Sequence, residues 1–357
     1  MVDRAEIEEA SAASLLRDFT QAVQYLPRPE IHNKRLWQLR NMLSGRATSL
    51  LSHTVAGVQE AIDAMLAQEH YDAVFFDSVV TAGYRLPDGV KVIIGEHNIE
   101  YEVLQRTYLH EKSWARKWYN WWEYRRVKPF ELACCRNADV ILVTSERERL
   151  LLKSVMRQKV IEVVPNGVDL EMFQDDCVEQ ECIQQIIFTG SMDYYPNADG
   201  VLFFAQKCWP LIQQQVQNAC WQIVGRNPPS EVWRLAKLPG VTVTGTVPDT
   251  RPYFRQAAVA IVPLQVGGGT RLKILEALAM GKAVVSTSLG AEGLAVVSGK
   301  HLLVEDQPEA FVQAVVELMQ NTERRRALGE EGRLLVENEY SWEACGDQLL
   351  RILDTVH

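Results

Sequence analysis

The sequence predicts an α/β protein of two domains, with parallel sheets and helices on both faces. Three observations carry this. The chain has 357 residues, too many for one ordinary core and about right for two. Through its C-terminal half, short apolar runs ending in Gly, Pro or Asp alternate with amphipathic segments, the pattern of buried parallel strands and their crossover helices. Midway, "VIEVVPNGVDLEMF" leaves a strand and turns through Asn166-Gly167, which reads as the link between domains.

In the N-terminal half, "DAVFFD", "VKVIIGEHN" and "DVILVTS" read as strands. Residues 1–60 read as helical or irregular. A doubly wound domain usually opens on a strand and a Gly-rich turn, so the first domain is expected to begin in the middle of its fold. A helical stretch covers about 100–135, with a break expected before Pro129. In the C-terminal half the strands are "QIIFTG", "CWQIVG", "VTVTG", "VAIVPL", "AVVST" and "HLLVED". Residues 308–356 read as three helices.

Composition narrows the class. Hydrophobic residues make up 47% and charged residues 23%, as in a folded globular chain. The net charge of −9 argues against nucleic acid as a partner. No apolar run approaches the roughly 20 residues that span a bilayer. The opening "MVDRAEIEEASAASLL" is acidic and polar, unlike a signal peptide. Seven cysteines without a CxxC fit reduced cytoplasmic thiols rather than a disulfide frame or zinc site.

The chemistry concentrates in "GGGTRLKILEALAMGKAVVST", Gly267 to Thr287. "VAIVPL" is a strand, "GGGT" a turn, and Leu272 to Met280 a helix stopped by Gly281. The glycines therefore lie at the carboxyl edge of a parallel sheet, where open α/β sheets bind ligands. Gly267, Gly268, Gly269 and Thr270 let backbone N–H groups approach an anion at a helix N-terminus. Arg271 and Lys273 add two full charges. Glu276, one turn on, is a good acceptor for two ribose hydroxyls. The plain alternative is a glycine turn with a basic first helical turn. Cations there cost about 0.3–1 kcal/mol each, and two of them make that alternative less attractive. Neither a Walker loop nor a GxGxxG fingerprint is present.

"GGGTRLKILEALAMGKAVVSTSLGAEGL" resembles the donor-site motif of the retaining glycosyltransferases of family four (group 1). These have the GT-B fold, two Rossmann-like domains facing a cleft. "EHNIEYEVLQR", "VVPNGVDLEMF", "IIFTGSMDYYPNADGVLFF", "WQIVGRNP", "VTVTGTVPDTRPYF" and "RLLVENEYSWEACGDQLLRIL" extend the likeness from about residue 26 to the end. It implies an acceptor-side domain over 1–165, a donor domain over 166–340, and a terminal helix over 341–357 crossing back. It implies a sugar passed from a nucleotide-sugar to a saccharide or lipid-linked acceptor hydroxyl, with anomeric configuration kept, in polysaccharide or glycoconjugate synthesis.

Carried over residue by residue, Arg271 and Lys273 would hold the diphosphate and Glu276 the ribose. Gly190 and Ser191 would face the diphosphate. Gly225, Arg226, Thr246 and Val247 would lie near the base, largely through backbone. His97 would face the transferred sugar. No cofactor or metal is expected beyond the co-substrate, since Asp175-Asp176 lies in a polar loop and not in a DxD pair placed for Mg²⁺. The pattern departs from the family at Gly268, which replaces a sugar-contacting Glu. It departs again after the first donor-domain strand, which lacks the usual Arg and Lys, and at the N-terminal strand and glycine loop. Two other readings stay open: a binding protein that lost catalysis, and a GT-B sugar-nucleotide epimerase, for which only His97 and Glu96 could supply acid/base chemistry.

One further segment stands out. "KSWARKWYNWWEYRRVKPF" carries four Trp and six Lys or Arg. Such a helix can lie on an anionic membrane, which would suit a lipid-linked acceptor and place the protein peripherally at the inner face. Trp114, Trp118, Trp121 and Trp122 follow helical spacing, so the expectation is instead a stripe buried against the first domain.

Overall fold

The computed structural model describes residues 20–24, 26, 37–38, 40–41, 47–51, 54–111, 113–174, 181–269 and 271–356. The chain divides into two compact units. One holds Met1–Val143 and Leu151–Glu162; the other holds Thr144–Leu150 and Val163–Thr355. The expected irregular opening falls largely on residues outside those described, as do Asp175, Asp176 and Thr270.

The first unit carries a four-stranded sheet in the order β1-β2-β3-β4. The strands are Ala73–Phe76 (β1), Lys91–Glu96 (β2), Val140–Val143 (β3) and Val160–Val163 (β4). β2 pairs in parallel with β1 and with β3. Ile93, Ile94, Ile141 and Val143 are fully buried, as their continuous apolar runs require.

Helices α1 (Thr48–Leu51), α2 (Val58–Gln68), α3 (Glu100–His110) and α4 (Trp114–Asn137) belong to this unit. Pro129 lies inside α4 and does not end it. Proline removes one backbone donor, and burial of the apolar side chains Val127, Leu132 and Cys135 on either side of it offsets the loss. The break falls instead between α3 and α4, where the Glu111 carboxylate accepts from Ser113 N at 2.9 Å, just before α4 begins.

Two buried carboxylates on α4 organise its neighbours. Glu123 accepts from Thr48 N at 2.9 Å and Ser49 N at 3.2 Å. Glu131 accepts from Glu100 N at 2.9 Å and Tyr101 N at 2.8 Å. Each satisfies the open N–H groups at a helix start. The tryptophan stripe departs from expectation: Trp114, Trp118 and Trp121 are 84%, 51% and 42% exposed. Nine residues make two and a half helical turns, so Trp114 and Trp118 lie opposite the buried Glu123 and Val127.

The second unit is a six-stranded sheet, parallel at every pairing, in the order β10-β9-β8-β5-β6-β7. Its strands are Cys182–Thr189 (β5), Cys220–Val224 (β6), Val241–Gly245 (β7), Ala257–Val262 (β8), Ala283–Ser286 (β9) and Leu303–Val304 (β10). This is the Rossmann order, with β5 as first strand. Phe204, Trp209, Trp221 and Phe311 are fully buried and pack ring against ring, with Phe204 and Trp221 centroids 4.8 Å apart. Helices Tyr195–Lys207 (α5), Leu272–Ala279 (α6), Pro308–Gln320 (α7), Thr322–Glu339 (α8) and Trp342–Val356 (α9) include the three expected at the C-terminus.

Candidate functional site

Strand order fixes where a ligand can sit in the second unit. β5 pairs with β6 on one side and β8 on the other. The connections from β5 and β8 therefore diverge at their carboxyl ends and leave a crevice between them, the topological switch point. Gly190 follows β5 directly, and the Gly267–Gly269 turn follows β8.

The two turns meet through side chains. Lys273, in the first turn of α6, donates from Nζ to Asn197 Oδ1 on α5 at 2.7 Å. Asn197 in turn donates from Nδ2 to Ser191 O at 2.8 Å. The Lys273 ammonium lies 4.1 Å from the centre of the Phe188 ring. Gly190 has φ +151, and a Cβ there would fall 2.6 Å from Lys273 Nζ and 2.7 Å from Asn197 Nδ2. Any larger residue would have to push both side chains aside, from a backbone conformation that favours glycine.

Burial, reinforced by the neighbouring Arg271, lowers the Lys273 pKa to about 7; Glu276 acts the other way. Burial raises that of Glu276 on the same helix, and Lys273 opposes the rise. The ammonium is thus held beside an apolar wall with its proton weakly bound, ready to be stabilised by an arriving anion. Arg271 is buried, and its guanidinium turns back to donate to the Gly268 carbonyl. Gly267, with φ +117, lies against Arg271 and Pro196. In this conformation Arg271 clamps the glycine turn.

A second cluster joins the ends of β5 and β6. A Cβ on Gly225 would lie 1.7 Å from the Gly190 carbonyl oxygen, so the two strand ends are in direct backbone contact. Arg226 donates from Nε to Ser191 Oγ at 2.8 Å. Its side chain thereby supplies a cation to a turn whose own sequence has none, whereas the sequence reading had placed Arg226 near the base, largely through backbone. Ser191 Oγ and Asn227 Nδ2 both bond Asp193, and these bonds hold its carboxyl pKa below the usual range. Thr246 and Val247 lie just past β7, two strands from β5, with Val247 packed partly on the core.

In the first unit, His97 follows β2 and Asp77 follows β1. His97 Nε2 lies 3.1 Å from Asp77 Oδ1, both exposed. Neighbouring parallel strands thus present a His–Asp pair at their carboxyl ends. The sequence reading named His97 and missed Asp77, whose signal was its place at the end of "AVFFD". Glu96 is buried and accepts from Cys135 Sγ at 3.3 Å, which turns it away from that edge.

Among the described residues, no three His, Cys, Asp or Glu side chains cluster to hold a metal ion, and no helix is long and apolar enough to cross a membrane. A cavity of about 770 Å³ lies within the second unit, lined by Ser145, Arg147, Gly293, Tyr340 and Gln348 among others. None of the glycine-turn residues lines it.

A Rossmann-ordered sheet with Lys273, Arg271 and Arg226 gathered near its switch point is an arrangement whose chemistry suits an anion. Comparison with known sequences narrows this. The sequence model of Glycosyltransferase Family 4 matches residues 28–172, and that of Glycosyl transferases group 1 matches residues 183–321. The chain belongs to this family of glycosyltransferases. An uncharacterized glycosyltransferase of Methanocaldococcus jannaschii is 20% identical over 236 residues, 61% of this chain and 59% of that protein. A GDP-mannose-dependent monoacylated α-(1-6)-phosphatidylinositol monomannoside mannosyltransferase of Corynebacterium glutamicum is 34% identical over 88 residues, 24% of this chain and 23% of that protein. The matched segments therefore span less than two thirds of these curated relatives.

Solved structures share the fold, which is GT-B. Sucrose-phosphate synthase of Thermosynechococcus elongatus superposes with TM-score 0.68 at 18% identity, over 87% of this chain and 79% of that one. Anabaena HepE in complex with UDP superposes with TM-score 0.66 at 12% identity, over 97% and 89%.

Proposed function

We propose that the chain transfers a sugar from a nucleotide-sugar to an acceptor hydroxyl with retention of anomeric configuration, in glycoconjugate or polysaccharide synthesis in the cytoplasm. The observation that carries the donor reading is the Lys273–Asn197–Ser191 chain at the switch point, with Arg226 and Arg271 beside it. Three cations around glycine turns suit a diphosphate, and Glu276 suits a ribose. The GDP-mannose dependence of one relative and the UDP-glucose complex of HepE support a nucleotide-sugar donor.

In this reading Lys273, Arg271 and the N-terminal N–H groups of α6 neutralise the charge that builds on the departing nucleoside diphosphate. That is preorganised electrostatic stabilisation, which needs no metal for the charge it offsets. The Gly267–Gly269 backbone takes the sugar contacts that a Glu at position 268 would make. His97, oriented by Asp77, hydrogen-bonds the transferred sugar. The acceptor is a saccharide or a lipid-linked sugar.

Calorimetric titration with UDP, GDP, ADP and their common sugar conjugates tests the donor site. Saturable binding by one base, lost in Lys273→Ala and Arg271→Ala, is the expected result. A folded sample that binds none of them overturns the reading. Proton NMR of the first-formed anomer then tests retention.

A further inference from the structure

Helix α4 presents a surface that the donor chemistry does not use. Trp114, Trp118 and Trp121 stand on one face and are 84%, 51% and 42% exposed. Large apolar side chains in line on a surface mark a contact with something else. The same helix stretch, residues 114–128, carries Arg116, Lys117, Arg125, Arg126 and Lys128. Its single acidic residue, Glu123, is buried on the opposite side and committed to the N–H groups of α1. The exposed part of the stretch is therefore purely cationic, on a chain whose net charge is −9. Arg125 lies over the Trp121 ring at 5.8 Å and Arg126 over Trp122 at 5.6 Å, so two of the cations are carried on indole faces.

We infer that this face of α4 docks the protein on an anionic lipid surface. Indole suits the headgroup boundary, where one edge of the ring is wet and the body is apolar. Cations flanking an apolar stripe add attraction to anionic headgroups, and an acidic protein needs such a local patch to approach them at all. A second copy of the same face is a poor partner, since like charges would meet along the whole stretch. The inference stands apart from the donor reading. It would bring the first unit to a surface where lipid-linked acceptors reside.

The test is co-sedimentation of the whole chain with sucrose-loaded vesicles of phosphatidylcholine alone and of phosphatidylcholine with 30%, roughly, phosphatidylglycerol, the fraction being chosen to give a strong surface potential. The chain is expected to pellet with the anionic vesicles, with blue-shifted tryptophan emission, and to stay in solution with the neutral ones. Raising salt to about 0.5 M, where the screening length falls to a few ångströms, should release most of it. The triple variant Trp114→Ala, Trp118→Ala, Trp121→Ala should lose at least about tenfold in partition, and the triple variant Lys117→Glu, Arg125→Glu, Arg126→Glu about a hundredfold or more. These side chains are exposed, and circular-dichroism melting curves matching the parent confirm that the variants fold. Equal binding to both vesicle types, equal binding by parent and variants, or no binding overturns the inference. So does a stripe-dependent dimer in sedimentation velocity, or stripe-dependent capture of a single-stranded oligonucleotide in place of vesicles.

Discussion

Lys273 Nζ and Asn197 Oδ1, carried on two helices that follow different strands, meet at 2.7 Å. This bond ties the turn after β8 to the turn after β5. It also holds the ammonium against Gly190, at the switch point. Charged hydrogen bonds are worth about 1.5–3 kcal/mol, so Lys273→Ala should weaken nucleoside diphosphate binding roughly 10- to 150-fold. Asn197→Ala keeps the charge and loses its guide, and should cost less, about 0.5–1.5 kcal/mol. Calorimetric titration of both variants measures this order, and the reverse order would overturn it.

The pH dependence follows from the lowered Lys273 pKa, about 7. Above that pH the amine is largely neutral in the unliganded protein. A bound diphosphate favours the ammonium and raises its pKa. Binding at pH 8 should therefore take up a proton, and affinity should fall as pH rises through 7. Repeating the titration in buffers of different ionisation enthalpy counts the proton. Lys273→Arg, charged throughout, should take up none.

Backbone contact between the ends of β5 and β6 predicts a stability effect. Gly225→Ala places a methyl group 1.7 Å from the Gly190 carbonyl oxygen. A backbone atom cannot swing aside, so the strand ends must separate. The cost is about 1–3 kcal/mol, which lowers the melting temperature by roughly 2–12 °C in a unit of this size. Scanning calorimetry reads it directly.

Much of this site was legible because it is local. Strand, glycine turn, cations and helix stop follow one another from Val259 to Gly281, and each is a near-neighbour property of the chain. Asn197 and Asp77 were not, since their meaning comes from strands brought side by side. Asn197 is a polar residue in the first turn of the helix that follows the Gly190 turn, which is the signal that could have found it. The tryptophan stripe misled for a related reason. Helical spacing says that four indoles share a face, and nothing in that spacing says which way the face points. Glu123 and Glu131 sit among cations in the sequence, and their partners become visible only when the helix starts of α1 and α3 are laid against them.

Glu131 predicts a second pH effect, now on folding. Burial lifts its pKa to about 8, against two backbone N–H bonds that pull it down. The raised value means that the folded state holds a proton which the unfolded chain gives up near 4.5. This contribution to stability is full below that pH and is lost as pH climbs through 8. Urea titrations from pH 5 to 9 should show the loss in the parent and a flatter profile in Glu131→Gln.

The eight-residue interval between Glu123 and Glu131 has one more consequence. It sets the two carboxylates about 12 Å apart along α4, each plugged into a different helix start. The helix then behaves as a key with two teeth. A slip of even one turn would withdraw both together, so α1 and α3 cannot loosen independently of it. Amide protons on Thr48, Ser49, Glu100 and Tyr101, far apart in the chain, should exchange with solvent in one shared opening event, at one free energy.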